Sequence, residues 1–220
     1  MALKCHLVIF ARLPRLGAGK RRLAKGVGAV EALRFQRTML GITLRRLSGD
    51  QRWITWLAMT PTPRRARQFG VRTIPQGRGS LGDRMATVAR AMPPGPVVIV
   101  GSDIPGISAA SVAAAFRLLG SKDAVFGPAL DGGYWLVGLR RRPRFLAPFV
   151  DVRWSSQHAL EDTLANLSSY CVGFVQTLED VDDATALKRH LPTIGTFARR
   201  NRIASSRSNT VDQTCSVRSP

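Results

Sequence analysis

Along this chain, short runs of apolar and often β-branched residues alternate with longer stretches whose apolar positions recur every three or four residues. The short runs predict strands at residues 7–11, 53–59, 71–74, 97–100, 124–126, 134–139 and 172–175. The longer stretches predict helices over about 27–47, 81–91, 109–119, 157–167 and 184–191. Continuously apolar strands separated by helices indicate an α/β domain. Its expected form is a three-layer sandwich, with a mainly parallel sheet buried on both faces and joined by right-handed crossovers. Two helix starts have a local cause. Ser108 can cap the free N–H groups that follow it, and Ser155 or Ser156 can do so before Gln157. From about Thr196 the period fails. Residues 196–220 are rich in Ser, Arg, Asn and Thr and bury too little to offset their ordering entropy. They are expected to form a disordered basic tail behind a domain spanning residues 1–195.

Composition narrows this picture. With 220 residues, 45% of them apolar, the chain can build one domain with a substantial core. No apolar run approaches bilayer length, and Arg12 and Arg15 interrupt the N-terminal one too early for a signal peptide. The three cysteines, Cys5, Cys171 and Cys215, lie far apart and form no CxxC pair. That argues against a disulfide framework or a zinc site and for a reducing cytoplasm. The net charge of +19 suggests nucleic-acid binding, but arginine is spread over the whole chain and no nucleic-acid motif accompanies it. A phosphate-bearing substrate needs a positive field equally.

In an open parallel sheet, ligands gather beyond the C-terminal ends of the strands. After the first predicted strand comes Ala11-Arg12-Leu13-Pro14-Arg15-Leu16-Gly17-Ala18-Gly19-Lys20-Arg21-Arg22. This turn can hold phosphate through its N–H groups and cations, or be a basic surface turn; it lacks Walker A spacing. After the third strand comes Gln76-Gly77-Arg78-Gly79-Ser80-Leu81-Gly82-Asp83-Arg84. Here a glutamine amide can pair with a base edge and glycines admit close backbone approach. Gly101-Ser102-Asp103-Ile104-Pro105 follows the fourth strand. Asp103 is placed either as a ligand for Mg²⁺ or as a turn or capping residue. Asp131-Gly132-Gly133 before Tyr134 is a hairpin signal. In Glu179-Asp180-Val181-Asp182-Asp183, alternation puts Asp180 and Asp182 on one face of an extended segment. They are further metal ligands or part of an acidic loop. Trp154 lines a pocket or fills the core.

These blocks, in this order and over about residues 5–190, resemble a bacterial glycosyltransferase-A-like family of nucleotide-diphospho-sugar transferases, associated with arsenosugar biosynthesis. The family is similar in fold to the nucleotidyltransferases that make molybdopterin dinucleotides and the guanylyl adduct of phosphoenolpyruvate. The resemblance implies a nucleotide site of Ala11, Arg12, Gly17, Lys20, Arg22, Gln76, Gly77, Leu81 and Arg84. It implies Mg²⁺ or Mn²⁺ on Asp103, Asp180 and Asp182. Asp131, Gly132, Gly133, Tyr134 and Trp154 would face the sugar or acceptor, and Asp103, Lys20 and Asp131 would carry the catalysis. The chain departs from the family pattern in three places. Arg21 replaces a threonine, Ser80 stands where an aspartate is usual, and the closing Asp-Val-Asp-Thr-x-x-Asp-Leu becomes Asp180 to Leu187, with Asp183 for threonine and Ala186 for the last aspartate.

The reaction expected is glycosyl transfer from a nucleotide-sugar to a small-molecule acceptor. Nucleotidyl transfer to a phosphorylated acceptor is the alternative within the fold. A non-catalytic basic nucleotide- or nucleic-acid-binding protein is the alternative outside it, and its nucleic-acid affinity would survive Asp103→Ala and fall steeply with salt.

Overall fold

The computed structural model describes residues 3–63, 66–141 and 145–195. The tail expected over 196–220, and with it Cys215, lies outside the described residues.

Seven strands form one sheet in the order β3-β2-β1-β4-β6-β5-β7. They are β1 (Cys5–Arg12), β2 (Trp53–Thr60), β3 (Arg72–Pro75), β4 (Val97–Gly101), β5 (Ala124–Pro128), β6 (Tyr134–Leu139) and β7 (Val172–Phe174). β1 runs parallel to β2 and β4, β2 to β3, and β5 to β7. Among the described residues, only β6 opposes its neighbours, pairing antiparallel with β4 and β5. Its reversal follows from the Asp131-Gly132-Gly133 turn, too short for a parallel crossover. Ala129 N–H donates to the Gly133 carbonyl across this turn at 3.0 Å.

The helices are α1 (Arg21–Val27), α2 (Ala29–Leu47), α3 (Leu81–Ala91), α4 (Ala109–Leu118) and α5 (Ala159–Ala165), with a last helix over 184–195. Strand alternation sorts the core into two layers. Leu7, Ile9, Val98 and Val100 pack with Leu40, Leu44 and Leu47 of α2 and with Val112 and Ala115 of α4. Val8, Val97 and Ile99 face the other way, onto Met85, Val88 and Ala89 of α3. A third cluster joins Leu23 of α1, Phe35 and Met39 of α2, and Val181 and Ala186 near the chain's end.

The helices depart from expectation at the α1–α2 junction and at the start of α5. The stretch starting at Val27 is broken at Gly28, whose φ of 86° suits glycine and separates α1 from α2. α1 escaped the pattern because it is short and fully buries only Leu23. Ser108 caps α4 as expected, accepting from Ser111 N–H at 3.1 Å. Neither Ser155 nor Ser156 caps α5, however, since that helix starts at Ala159 behind His158. Ser156 Oγ instead accepts from His158 N–H at 3.2 Å, one turn too early.

Candidate active site

β1 connects to β2 on one side, whereas β4 inserts on the other, so the chain changes direction between the C-terminal ends of β1 and β4. Such switch points open a crevice in doubly wound sheets. Lys20 reaches this crevice from the β1 loop and Asp103 from the end of β4. Gly17 and Gly19, at φ 74° and 77°, allow the loop to fold back, and Lys20 itself is left-handed at φ 42°. The Asp103 turn is fastened from α2. Arg46 Nη1 donates to the carbonyls of Pro105 (2.7 Å) and Ile107 (2.9 Å), and Thr43 Oγ1 to that of Ser102 (3.3 Å).

Asp180 and Asp182 come from the other end of the sequence. After β7 the chain runs along β5, where Leu178 N–H donates to the Pro128 carbonyl at 3.1 Å. Val181 N–H then donates to the Asp103 carbonyl at 3.3 Å. Val181 is fully buried in the third cluster, so alternation turns both aspartates the opposite way. All three carboxylates converge on the Lys20 ammonium. Nζ lies 2.5 Å from Asp103 Oδ2, 2.6 Å from Asp182 Oδ1 and 3.7 Å from Asp180 Oδ2, with the lysine side chain 10% exposed.

Burial opposes the charge on Lys20, but Asp103 and Asp182 outweigh it and hold the ammonium pKa above the ordinary lysine value. Burial raises Asp180 to about 6. Lys20 works against that rise, while Asp182, Asp103 and Asp131 add to it. Burial also works to raise Asp182, yet its contact with Lys20, reinforced by Arg22, leaves that carboxyl below the usual range.

Three oxygen-donor carboxylates suit a hard divalent cation chemically. The position between them is nevertheless taken by the ammonium. Among the described residues, no group of three or more His, Cys, Asp or Glu side chains is arranged to hold a metal ion. The expected Asp103, Asp180 and Asp182 are brought together, but around the Lys20 ammonium and not as a metal-holding group.

Beside this cluster opens a cavity of about 530 Å³, of the size ordinary for small-molecule sites. Arg22, Asp103, Asp180 and Asp182 form its charged side, and Phe10, Leu81, Met85, Tyr134 and Trp154 its apolar side. Asp131 and Gly133 lie on its rim. Asp131 Oδ1 accepts from Gly133 N–H at 2.9 Å, so this carboxylate also shapes the turn. Tyr134 meets Trp154 edge to face, with ring centroids 6.3 Å apart. Burial raises the tyrosine pKa and keeps its phenol protonated, with Thr163 beside it. Trp154 is positioned by its neighbour. Arg153 forms an ion pair with Asp162 of α5 (Nη2 to Oδ1, 2.6 Å), and Asp162 Oδ2 accepts from Arg153 N–H at 2.9 Å.

The nucleotide residues expected from the sequence divide. Lys20, Arg22 and Leu81 lie at the site. Arg12 lies beside it, lining a smaller cavity of about 130 Å³ with Gly19, Lys20 and Asp103. Gly17 shapes the loop without lining the main cavity. Gln76 is a structural clamp: its buried amide donates to the carbonyls of Ala11 and Ala58, both at 3.0 Å. A base-edge contact donated by the Gln76 amide would have to break one of these bonds. Gly77 packs against Thr87, and Arg84 donates to the Ser80 carbonyl at 3.2 Å and to Gln76 Oε1 at 3.5 Å.

Two departures from the family pattern become intelligible here. Ser80 and Asp83 form a reciprocal cap on α3, and Asp183 Oδ1 accepts from Ala186 N–H at 2.7 Å to cap the last helix. Ser for Asp and Asp for Thr each exchange one good capping residue for another. Ala186 is a core residue of the third cluster. Sequence reasoning missed Ser156, Gln157 and Ala159, which complete the cavity wall behind Trp154. Their only signal was their position next to that tryptophan. Arg46 and Thr43 carried none, because they lie within a helix whose period reads as packing alone.

Sheet order and switch-point site together define an α/β domain of the nucleotide-diphospho-sugar transferase fold. Solved structures agree at the level of fold. A candidate nucleotide-diphospho-sugar transferase from Desulfovibrio desulfuricans G20 superposes with a TM-score of 0.75 at 22% identity, covering 88% of this chain and 97% of that one. CMP:2-keto-3-deoxy-manno-octonic acid synthetase, complexed with CTP, gives 0.58 at 15% identity over 90% and 100%. Glucosyl-3-phosphoglycerate synthase from Mycobacterium tuberculosis, complexed with Mn²⁺, UDP and glucosyl-3-phosphoglycerate, gives 0.51 at 10% identity over 89% and 76%. No curated protein sequence matches the chain. The chain belongs to the family described as uncharacterized protein conserved in bacteria (DUF2064), whose profile matches residues 43–156.

Proposed function

We propose that this protein is a transferase that takes a glycosyl group from a nucleotide-sugar donor, with Mg²⁺ or Mn²⁺ as its cofactor. One observation carries the reading. A lysine and three carboxylates from three distant segments meet at the sheet's switch point and open directly onto an aromatic-walled cavity. The charged side suits a diphosphate, with Lys20, Arg22 and Arg12 as its cationic partners. The apolar side, Trp154 with Tyr134, suits the face of a sugar ring. In the transfer, the bond from the anomeric carbon to the diphosphate oxygen breaks and its electron pair leaves with the nucleoside diphosphate. An acceptor hydroxyl oxygen bonds to that carbon, and Asp131, which lines the cavity, would take its proton. A divalent ion on Asp103 with Asp180 or Asp182 would neutralise the charge of the leaving diphosphate. Lys20 would then belong to the phosphate rather than to the carboxylates.

Nucleotidyl transfer is the second reading, supported by the shared fold of the CTP-bound synthetase. A melting-temperature screen separates the two. Nucleotide-sugars and nucleoside triphosphates are tested with and without Mn²⁺. A saturating ligand at a hundred times its Kd stabilises by about 2.7 kcal/mol. Glycosyl transfer predicts selective stabilisation by a nucleotide-sugar and nucleoside diphosphate as the product. Stabilisation by a triphosphate with pyrophosphate as the product would establish the second reading. No response to either class would remove both.

A further inference from the structure

We infer that the Lys20 ammonium is this protein's own counter-ion for the carboxylate cluster, and that it bars a divalent cation from Asp103, Asp180 and Asp182 until a diphosphate draws it away. The inference rests on the proposed function for the identity of that anion, but not for the exclusion of metal.

The geometry makes the two cations mutually exclusive. Nζ is within 2.6 Å of both Asp103 Oδ2 and Asp182 Oδ1, so the ammonium fills the space between these two carboxylates that would hold a divalent ion. The side chain is 10% exposed, so water does little to screen it. A divalent ion entering beside the ammonium would add two positive charges a few ångströms from one already there, in surroundings where repulsion is strong. With the lysine in place, the three carboxylates hold one positive charge. Once it leaves, three negative charges face one another with only oxygen donors toward the gap, which is the composition a hard cation takes.

The lysine can leave. It occupies the left-handed region at φ 42°, where a residue with a side chain is held by its surroundings rather than by preference. Glycines at positions 17 and 19 precede it, so the loop has low-cost alternatives. A diphosphate in the adjoining cavity would offer Lys20 new anionic oxygens while Arg22 already faces that cavity. Anion and metal then favour each other's binding, and by linkage each raises the other's affinity by the same factor. The device would keep the metal out of a site that holds no donor.

The test uses the full chain and Mn²⁺, with free Mn²⁺ followed by its electron paramagnetic resonance signal. Wild type should bind Mn²⁺ weakly alone. Lys20→Met should bind it about tenfold or more tightly, the ordinary range for site coupling. Adding Asp103→Asn to Lys20→Met should abolish the gain, and Lys20→Arg, which keeps a cation, should show none. Lys20→Met leaves the carboxylates unpaired and can fold poorly without metal. In that case Mn²⁺ should raise its melting temperature while leaving that of wild type unchanged, and absence of this rescue overturns the inference. Equal Mn²⁺ affinity in folded wild type and Lys20→Met overturns it as well. Gain of Mn²⁺ affinity in a protein that binds no nucleotide would keep the exclusion of metal by Lys20 and remove the transferase reading together with the nucleotide diphosphate as the displacing anion. Nucleotide-sugar binding without the gain would do the reverse.

Discussion

Gly82, in the first turn of α3, touches the cavity wall from behind and offers a test of how Trp154 is held. A Cβ added there would lie 2.6 Å from Trp154 Cζ2, 2.8 Å from Phe149 Cβ and 3.0 Å from the Phe149 carbonyl oxygen. Two effects of Gly82→Ala compete. Alanine favours the helix by roughly 0.5–1 kcal/mol over glycine. Overpacking a closed contact costs about 1–3 kcal/mol. The Phe149 carbonyl belongs to the backbone and cannot swing aside, so the cost should prevail. The expected net loss is about 1–2 kcal/mol, or about 2–8 °C in melting temperature for a domain of this size. The indole should be pushed toward the cavity, changing its fluorescence and weakening nucleotide-sugar binding more than nucleoside diphosphate binding. In a Trp154→Ala background the 2.6 Å contact is gone but those with Phe149 remain, so the same substitution should cost less than in wild type while staying destabilising. A stabilised Gly82→Ala protein with unchanged donor affinity would refute this account of the wall.

Arg46→Met should free the turn behind Asp103. Loss of two hydrogen bonds from a charged donor costs about 1.5–3 kcal/mol each at most. Calorimetry should show weakened nucleotide binding as well as a lower melting temperature, and a lower melting temperature alone would mean the turn is fixed without Arg46. Acid should release the Trp154 segment. The Arg153 guanidinium lowers the Asp162 pKa from 3.8 to about 2. A depressed carboxyl pKa gives stability that is present above the unfolded value and lost as pH falls through the folded one. The stability difference between wild type and Asp162→Asn should be constant above about pH 5 and shrink from about 4 to 2. A difference that persists at pH 2 would mean the pair is not its source.

Much of this fold was legible because buried parallel strands are written as uninterrupted apolar runs. Val97 to Val100 and Leu7 to Ile9 needed no tertiary information to be read as strands. The reversal of β6 was legible as well, in Asp131-Gly132-Gly133. α1 was not, because a seven-residue helix with one fully buried side chain has too little period to register. Within the site, Asp103 and the Asp180/Asp182 pair followed from position and alternation. Their common partner did not. Lys20 read as a phosphate ligand because it lies in a basic loop, and nothing in a linear sequence brings residue 20 within reach of residue 182. Gln76 was misleading for a related reason. An amide beside glycines suggests a ligand, whereas here it ties together the ends of β1 and β2.

The central claim is that a carboxylate at the end of β4 joins a nucleotide-sugar to a divalent cation. Asp103→Asn tests it most directly, since it preserves shape and removes one charge. The measurement is the melting-temperature shift produced by a nucleotide-sugar with and without Mn²⁺, in wild type and variant. The account predicts a folded variant that has lost the Mn²⁺-dependent part of the shift, and a transfer rate reduced by about a hundredfold or more. A variant that retains the full Mn²⁺-dependent shift would contradict the account.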